Sequence, residues 1–450
     1  MRDKRYPILL PGMGLLLLFI PLVSMSQLNA SRVKTGWTFG VLPVIGYNTD
    51  IGFKYGGLVS VYDYGKETTY PVYRKMFRLE ISRSTKGSGI NQLFFDSDRL
   101  LGNSRIRFTA DLSWLTDKVC DFYGFNGKEA NYDHSFTEDQ SPSYISRVYY
   151  AMDRRLFRFT ADFKGPVTAD HLHWIAGLGV YEYMITTVDI KKLNKGKDDD
   201  DMLPDTALLY DKYVVWNLIP SVEADGGHQQ VIKAGIVYDS RDIEANPAKG
   251  IWTELIFIAA PSFLWNDENA FTRLALTHRQ YFTLFPNQLT LVYRIGYQGR
   301  ISGNVPFYSM PYIYGSYLSS VIEEGLGGAK SLRGILRNRL TGDGVAFANI
   351  EFRWKFLRGV LWKQNFYLAL NPFLDAGMVV QKVPVEIANV PPQENIPDYF
   401  TGENESMHFS SGCGLHLALN ENFVVAADIG YALSKLDGGL GVYIGINWLF

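Results

Sequence analysis

The chain alternates. From Ser104 to Trp114, "SRIRFTADLSW", the apolar residues Ile106, Phe108, Ala110, Leu112 and Trp114 fall on one side, and Arg105, Arg107, Thr109, Asp111 and Ser113 fall on the other. Strict alternation of this length marks a β-strand with two unlike faces. "LFRFTADFK" repeats it, setting Phe157, Phe159, Ala161 and Phe163 against Arg158, Thr160, Asp162 and Lys164. The same period recurs in "FRLEIS" near Phe77 and in "VAFANIEFRWKF" near Ile350. The pattern predicts strands of about 10 to 14 residues, enough to cross a bilayer at a tilt. Their polar faces carry full charges of both signs. In a soluble sandwich that face meets water and the apolar face meets a second sheet. In a transmembrane barrel the apolar face meets lipid and the charged face lines the lumen.

Three features favour the barrel: an export signal, the strand length, and aromatic residues gathered at strand ends as interfacial girdles are (Trp37, Trp114, Tyr149, Tyr150, Trp362, Trp448). The last strand adds a fourth. In "GVYIGINWLF", Val442, Ile444, Ile446, Trp448 and Phe450 are expected to share the lipid face, with Tyr443, Gly445 and Asn447 opposite. Tyr443, Gly445, Trp448 and Phe450 together resemble an outer-membrane C-terminal β-signal. About 17 segments between Trp37 and Phe450 read as strands, and single-chain bacterial barrels normally carry an even number. The expected fold is all-β, a transmembrane antiparallel β-barrel of about 16 strands, with one segment of the first half misassigned. No internal repeat is present.

The one long apolar run lies at the N-terminus. "MRDKR" precedes an apolar core from about Ile8 to Val23, and Ser24-Met25-Ser26 offers small residues at the positions a signal peptidase reads. Residues 1–26 read as a cleavable signal peptide and 27–450 as the barrel; a single transmembrane anchor is the other reading of the run. Localisation in a bacterial outer membrane follows. Lys+Arg 44 against Asp+Glu 46 leaves a net charge of -2, which excludes a polyanion-binding role and nucleic acid as a partner. Export permits a disulfide between Cys120 and Cys413, but spacing cannot decide whether they pair. Two stretches break the strand pattern. Lys191–Asp205, with a run of four consecutive aspartates, reads as a solvated loop in preference to a calcium site, and Lys382–His408 as a long Pro-rich loop on the outside. His171 and His173 share a strand face and read as rim residues in preference to metal ligands. No Gly-x-Ser-x-Gly is present, so the chain is expected not to be an enzyme and to need neither metal nor cofactor.

"GLGGAKSLRGILRNRL", Gly325 to Leu340, sets Arg333 in a glycine-rich loop. Leu332-Arg333-Gly334-Ile335 resembles the Val/Leu-Arg-Gly-aromatic signature of loop six in the BamA/TamA outer-membrane family, the bacterial surface-antigen barrels. The fourth position departs from the usual aromatic. "PFY" (Pro306–Tyr308) precedes the loop. "YDSRDIEANPAKG" resembles the family's Asp-x-Arg-Asp…Pro-x-x-Gly segment through Asp239, Arg241, Asp242, Pro247 and Gly250. "FYGFNG" (Phe122–Gly127) and "FLDAG" (Phe373–Gly377) resemble two further motifs, and five strands are expected after the loop, at about 344–358, 365–380, 407–419, 422–433 and 440–450.

The resemblance implies a loop six folded into the barrel, with Arg333 meeting Asp375 beside Gly377 and Glu351. Alternation independently points Asp375 and Glu351 inward. In a wet lumen a forked guanidinium–carboxylate pair contributes about 1 kcal/mol or somewhat more. The resemblance also implies insertion or translocation of outer-membrane proteins through a weak seam between first and last strands, with outer-membrane lipid, client proteins and a periplasmic or lipoprotein partner as its surroundings. The short run from cleavage site to first strand resembles the branch without POTRA domains. A passive channel or a structural subunit remains the alternative.

Overall fold

The computed structural model describes residues 35–66, 73–98, 105–167, 171–244, 246–262, 270–315, 325–361, 364–419, 423–446 and 448–450. The expected signal peptide and Trp362 lie outside the described residues. Sixteen strands form one closed antiparallel barrel in which each pairs with its sequence neighbours and the first meets the last. They are β1 (Trp37–Asn48), β2 (Gly52–Asp63), β3 (Lys75–Ser84), β4 (Ser88–Ser97), β5 (Arg107–Asp121), β6 (Ala151–Pro166), β7 (Leu172–Thr186) and β8 (Gly226–Asp239). The second half holds β9 (Gly250–Ala260), β10 (Phe271–Phe285), β11 (Leu289–Gly303), β12 (Gly344–Leu361), β13 (Gln364–Gln381), β14 (His408–Leu419), β15 (Phe423–Ala432) and β16 (Leu440–Ile446). The chain is an outer-membrane β-barrel with the even strand number the class favours.

The two faces separate as the alternation predicts. On β5, Leu112 and Trp114 are exposed outward while Asp111 and Ser113 are buried inside. The lumen is closely paired rather than open. Arg158 Nη2 lies 2.9 Å from Asp111 Oδ1, and Lys233 Nζ lies 2.7 Å from Asp162 Oδ1. Cys120 is buried on the inner face and Cys413 exposed on the outer one, both as free thiols, so the chain carries no disulfide between them.

The rims differ. At one rim the described turns include the short one at 286–288. At the other, the loops 122–150, 187–225 and 382–407 and the described parts of a fourth, 304–315 and 325–343, close over the barrel. Their aromatic residues supply a core of their own: Phe122, Tyr149, Tyr213, Trp216, Phe307 and Tyr399 are buried together. The Pro-rich loop enters this dome through Tyr399, which meets Trp216 edge to face, and Phe400, whose ring packs tilted against Tyr213. Of the aspartate run, Asp199–Asp201 stay exposed.

One expectation for the last strand fails. β16 ends at Ile446, and Trp448 and Phe450 do not continue the lipid-facing row. Both are buried inside. Trp448 stacks 4.1 Å from His416, and the Arg353 guanidinium lies 4.3 Å from its ring. Phe450 packs with Tyr281 and Val292. The reason is chemical. The buried guanidiniums of Arg294 and Arg353, 4.9 and 5.4 Å from the Phe450 ring, present cations to an aromatic face, an attraction that lipid cannot match.

Candidate functional site

Loop six, residues 304–343 between β11 and β12, turns back into the lumen and carries Arg333 to the inner wall. Arg333 donates from Nε and Nη2 to the two oxygens of Asp375, each at 3.0 Å, and its backbone N–H donates to Asp375 Oδ2 at 3.0 Å. Its Nη1 lies 2.9 Å from Glu351 Oε1 and 3.7 Å from Asp428 Oδ2. The guanidinium sits flat on Phe373, 3.4 Å from the ring centroid. Asn349 braces the arrangement by donating to both Asp375 Oδ1 and Ser331 O, at 2.8 and 2.7 Å. Gly377 lies beneath Leu332, whose Cδ1 occupies the space a side chain there would need.

Period two explains these positions. Glu351 and Asp375 alternate with lipid-facing Ile350 and Leu374. The salt bridge is not wet, however. Arg333, Asp375 and Glu351 are all 0% exposed. The expected regime of about 1 kcal/mol therefore gives way to that of a buried pair, where removal of one partner costs several kcal/mol. Burial alone would push the Arg333 guanidinium down, but Asp375 and Glu351 outweigh it and hold the group above its ordinary range.

Leu332 and Ile335 flank the motif as apolar plugs, packing with Leu326, Val345 and Phe347. The missing aromatic at 335 is thus filled by an aliphatic cluster. Gly334 has φ +95°, a conformation L side chains rarely adopt, and a Cβ there would strike the backbone of Gly430 and Tyr431.

Two further arginines of the loop escaped the sequence reading. Arg337 pairs with Asp117 and Asp121 of β5 at 2.7 and 2.6 Å. Arg339 donates to the carbonyls of Leu436 and Ala130, both at 2.8 Å. Its Nε lies 3.8 Å from Asp437 Oδ1, and burial outweighs that carboxylate and pushes the guanidinium down. The signal was present as three arginines within seven residues of a glycine-rich loop. The "FYGFNG" turn also serves this loop: Asn126 accepts from Val383 N and donates to Val383 O, while its own N–H donates to Thr341 O. Near Arg339, His408 lies between Asp437 and Glu405, at 2.6 and 3.2 Å.

The Asp239–Gly250 segment is not brought to this site. It forms the turn between β8 and β9, at the short-turn rim. Arg241 forks onto Asp239 at 2.9 and 3.0 Å and lies over Trp252. Asp242 Oδ1 accepts from the N–H groups of Ile243, Ala248 and Lys249. Gly250, at φ +108°, has no room for a Cβ against Ser240 O. Pro247 is buried in the same turn, next to Asn246, which crosses to the Tyr367 hydroxyl on β13 at 2.8 Å.

The seam is the other feature of interest. β1 and β16 share the register pairs Tyr47↔Ile444 and Asn48↔Tyr443 among the described residues. Thr49 extends the join, donating from N–H to Val442 O at 3.1 Å and accepting Val442 N–H on Oγ1 at 2.8 Å. On its other side β1 pairs with β2 along its whole length, from Trp37↔Asp63 to Asn48↔Gly52.

A family model described as the Omp85 superfamily domain matches residues 75–448. The chain belongs to the Omp85 superfamily. None of the curated proteins compared with this Omp85 barrel matches it. Among solved structures, BamA from Haemophilus ducreyi lacking POTRA domains 1–3 is similar at TM-score 0.54 and 13% identity, covering 92% of this chain and 71% of that one. CdiB from Escherichia coli is similar at TM-score 0.54 and 10% identity, covering 90% of this chain and 62% of that one. The Omp85 barrel therefore spans about three fifths of that CdiB chain. At such identities the likeness carries the fold. Among the described residues of the Omp85 barrel, no group of three or more His, Cys, Asp or Glu side chains is placed to hold a metal ion, His171 and His173 included.

Proposed function

We propose that this Omp85 barrel assists insertion or translocation of outer-membrane proteins through the seam between β1 and β16. The observation that carries the reading is the asymmetry of β1. One edge is paired along its length; on the other, the pairs among the described residues lie at Tyr47–Thr49, while Trp448 and Phe450 are drawn into the lumen. An edge strand with free N–H and C=O groups templates an added strand. Pro43, which has no N–H to give, lies in the middle of that edge. Loop six, pinned by Arg333, braces the nearby β12–β13 wall, three strands from β16, while the seam opens. Outer-membrane lipid and client barrels are the partners this implies, with a periplasmic or lipoprotein partner to deliver them. No step of the proposal requires a nucleophile, metal or cofactor.

The test locks the seam. Tyr47→Cys and Ile444→Cys, directly opposite one another, are introduced with Cys120→Ser and Cys413→Ser. The barrel in liposomes is assayed for its effect on folding of a model outer-membrane protein. Acceleration in the reduced form that is lost on oxidation supports lateral insertion. No acceleration in either state turns the assignment to a channel or structural subunit.

A further inference from the structure

One side chain touches both the loop-six anchor and the seam. Tyr443 lies on β16, directly opposite Asn48 of β1. Its ring points inward and is buried. Its hydroxyl accepts the backbone N–H of Gly334 at 2.9 Å. Gly334 follows Arg333, whose side chain is held by Asp375 and Glu351 on β13 and β12. A continuous path of polar contacts thus runs from the β12–β13 wall through the apex of loop six to the strand that closes the barrel.

Three glycines make the contact possible. A Cβ on Gly441 would fall on the Tyr443 hydroxyl, so the ring needs a glycine two residues before it. A Cβ on Gly430, which pairs with Gly441 across β15–β16, would strike the carbonyl of Arg333. Gly334 in turn packs against the Gly430 backbone. Glycines in this hairpin therefore clear a slot between loop six and β16; they are not simply weak points in the strand. Two backbone links finish the join: Leu336 N–H donates to Asp437 O at 2.8 Å, and Ile335 bridges to Gly438.

We propose that Tyr443 is a positioning residue that couples loop six to the seam, holding β16 in register with β1 at Tyr47–Thr49. The proposal rests on the seam reading given above. The hydroxyl lies one residue from Val442 and Ile444, which carry the described joins to Thr49 and Tyr47. Loss of that one hydrogen bond frees β16 to tilt away from β1 without altering the barrel wall. Loosening of Arg333 reaches the seam by the same route.

Hydrogen–deuterium exchange on the full-length barrel in nanodiscs tests this, read at peptides covering 47–49 and 440–444. Tyr443→Phe keeps the ring and removes only the acceptor. Exchange at these peptides is expected to rise roughly 2- to 10-fold, the range for one net hydrogen bond. Exchange between β5 and β6 and heat-modifiable gel mobility are expected to stay unchanged, which a general packing role would not allow. Asp375→Asn is expected to raise seam exchange in the wild-type background and to add nothing in the Tyr443→Phe background. Should Asp375→Asn not fold, Gly441→Ala, which displaces the hydroxyl, is read in its place. Unchanged seam exchange in Tyr443→Phe, or full additivity of the two changes, overturns the coupling. Client folding is measured separately: seam exchange that responds while client folding is never accelerated keeps the coupling and rejects the insertase reading.

Discussion

Between β12 and β13 the ladder runs from Gly344↔Gln381 to Leu361↔Gln364, broken by two irregularities. Between β1 and β16 the described register pairs are Tyr47↔Ile444 and Asn48↔Tyr443. Both joints use the same backbone chemistry, so strand propensity does not distinguish them. They differ in length and in what braces them from inside. The first carries Glu351 and Asp375, clamped by Arg333. The second has the Tyr443 hydroxyl and the Thr49 side chain. Two joints only a few strands apart can thus differ in stiffness without any change of fold, because each ladder bond adds little by itself and local opening follows the number that must break together.

The largest expected effect attacks the stiff joint. Arg333→Ala leaves Asp375 buried without its cation and Glu351 with Arg353 alone, at a cost of about 3–5 kcal/mol, read as a fall in the denaturation midpoint and as protease cleavage in loop six. Arg333→Lys is expected to recover only part of this, since an ammonium cannot fork onto Asp375 while reaching Glu351. An unchanged midpoint for the alanine variant would erase the contrast between the joints.

Next comes Gly334→Ala. It places a side chain at positive φ and against Gly430, which costs about 1–3 kcal/mol from backbone conformation alone. Loop-six protease sensitivity checks it, and resistance equal to wild type would show that the apex does not rest on β15. Arg337→Ala strips Asp117 and Asp121 of a partner at the dome; Asp121 is partly exposed, so the expected cost is smaller, about 1–2 kcal/mol. It should loosen loop six near β5 without increasing seam exchange. The smallest effect sharpens the seam side. Trp448→Phe keeps a ring beside Arg353 and His416 but weakens the cation–π contact, and is expected to cost about 1 kcal/mol. The chain end would then exchange faster while the β12–β13 amides do not.

Much of this is legible in the sequence. The period of two is local, so "SRIRFTADLSW" and "LFRFTADFK" announced two-faced strands, and a barrel follows once those faces carry lipid-compatible and charged rows. The resemblance in Leu332–Ile335 and Phe373–Gly377 directed attention to Arg333 and Asp375, and these side chains meet. Arg337 and Arg339 were not legible, because their partners Asp121, Leu436 and Ala130 are far away in sequence and two of them offer only carbonyls. The fate of Trp448 and Phe450 was misjudged for a related reason. Alternation assigns a face only while the chain remains a strand.

The face of each strand residue, the membrane setting and the even closure of the barrel follow from short-range pattern and chain length, since alternation is a property of the backbone. The exclusion of water from Arg333, the inward turn after Ile446 and the contact of Tyr443 with Gly334 were decided by tertiary structure. They depend on how a 40-residue loop fills the lumen, and a buried charge or a spare aromatic ring takes the partner that packing delivers rather than one its neighbours specify.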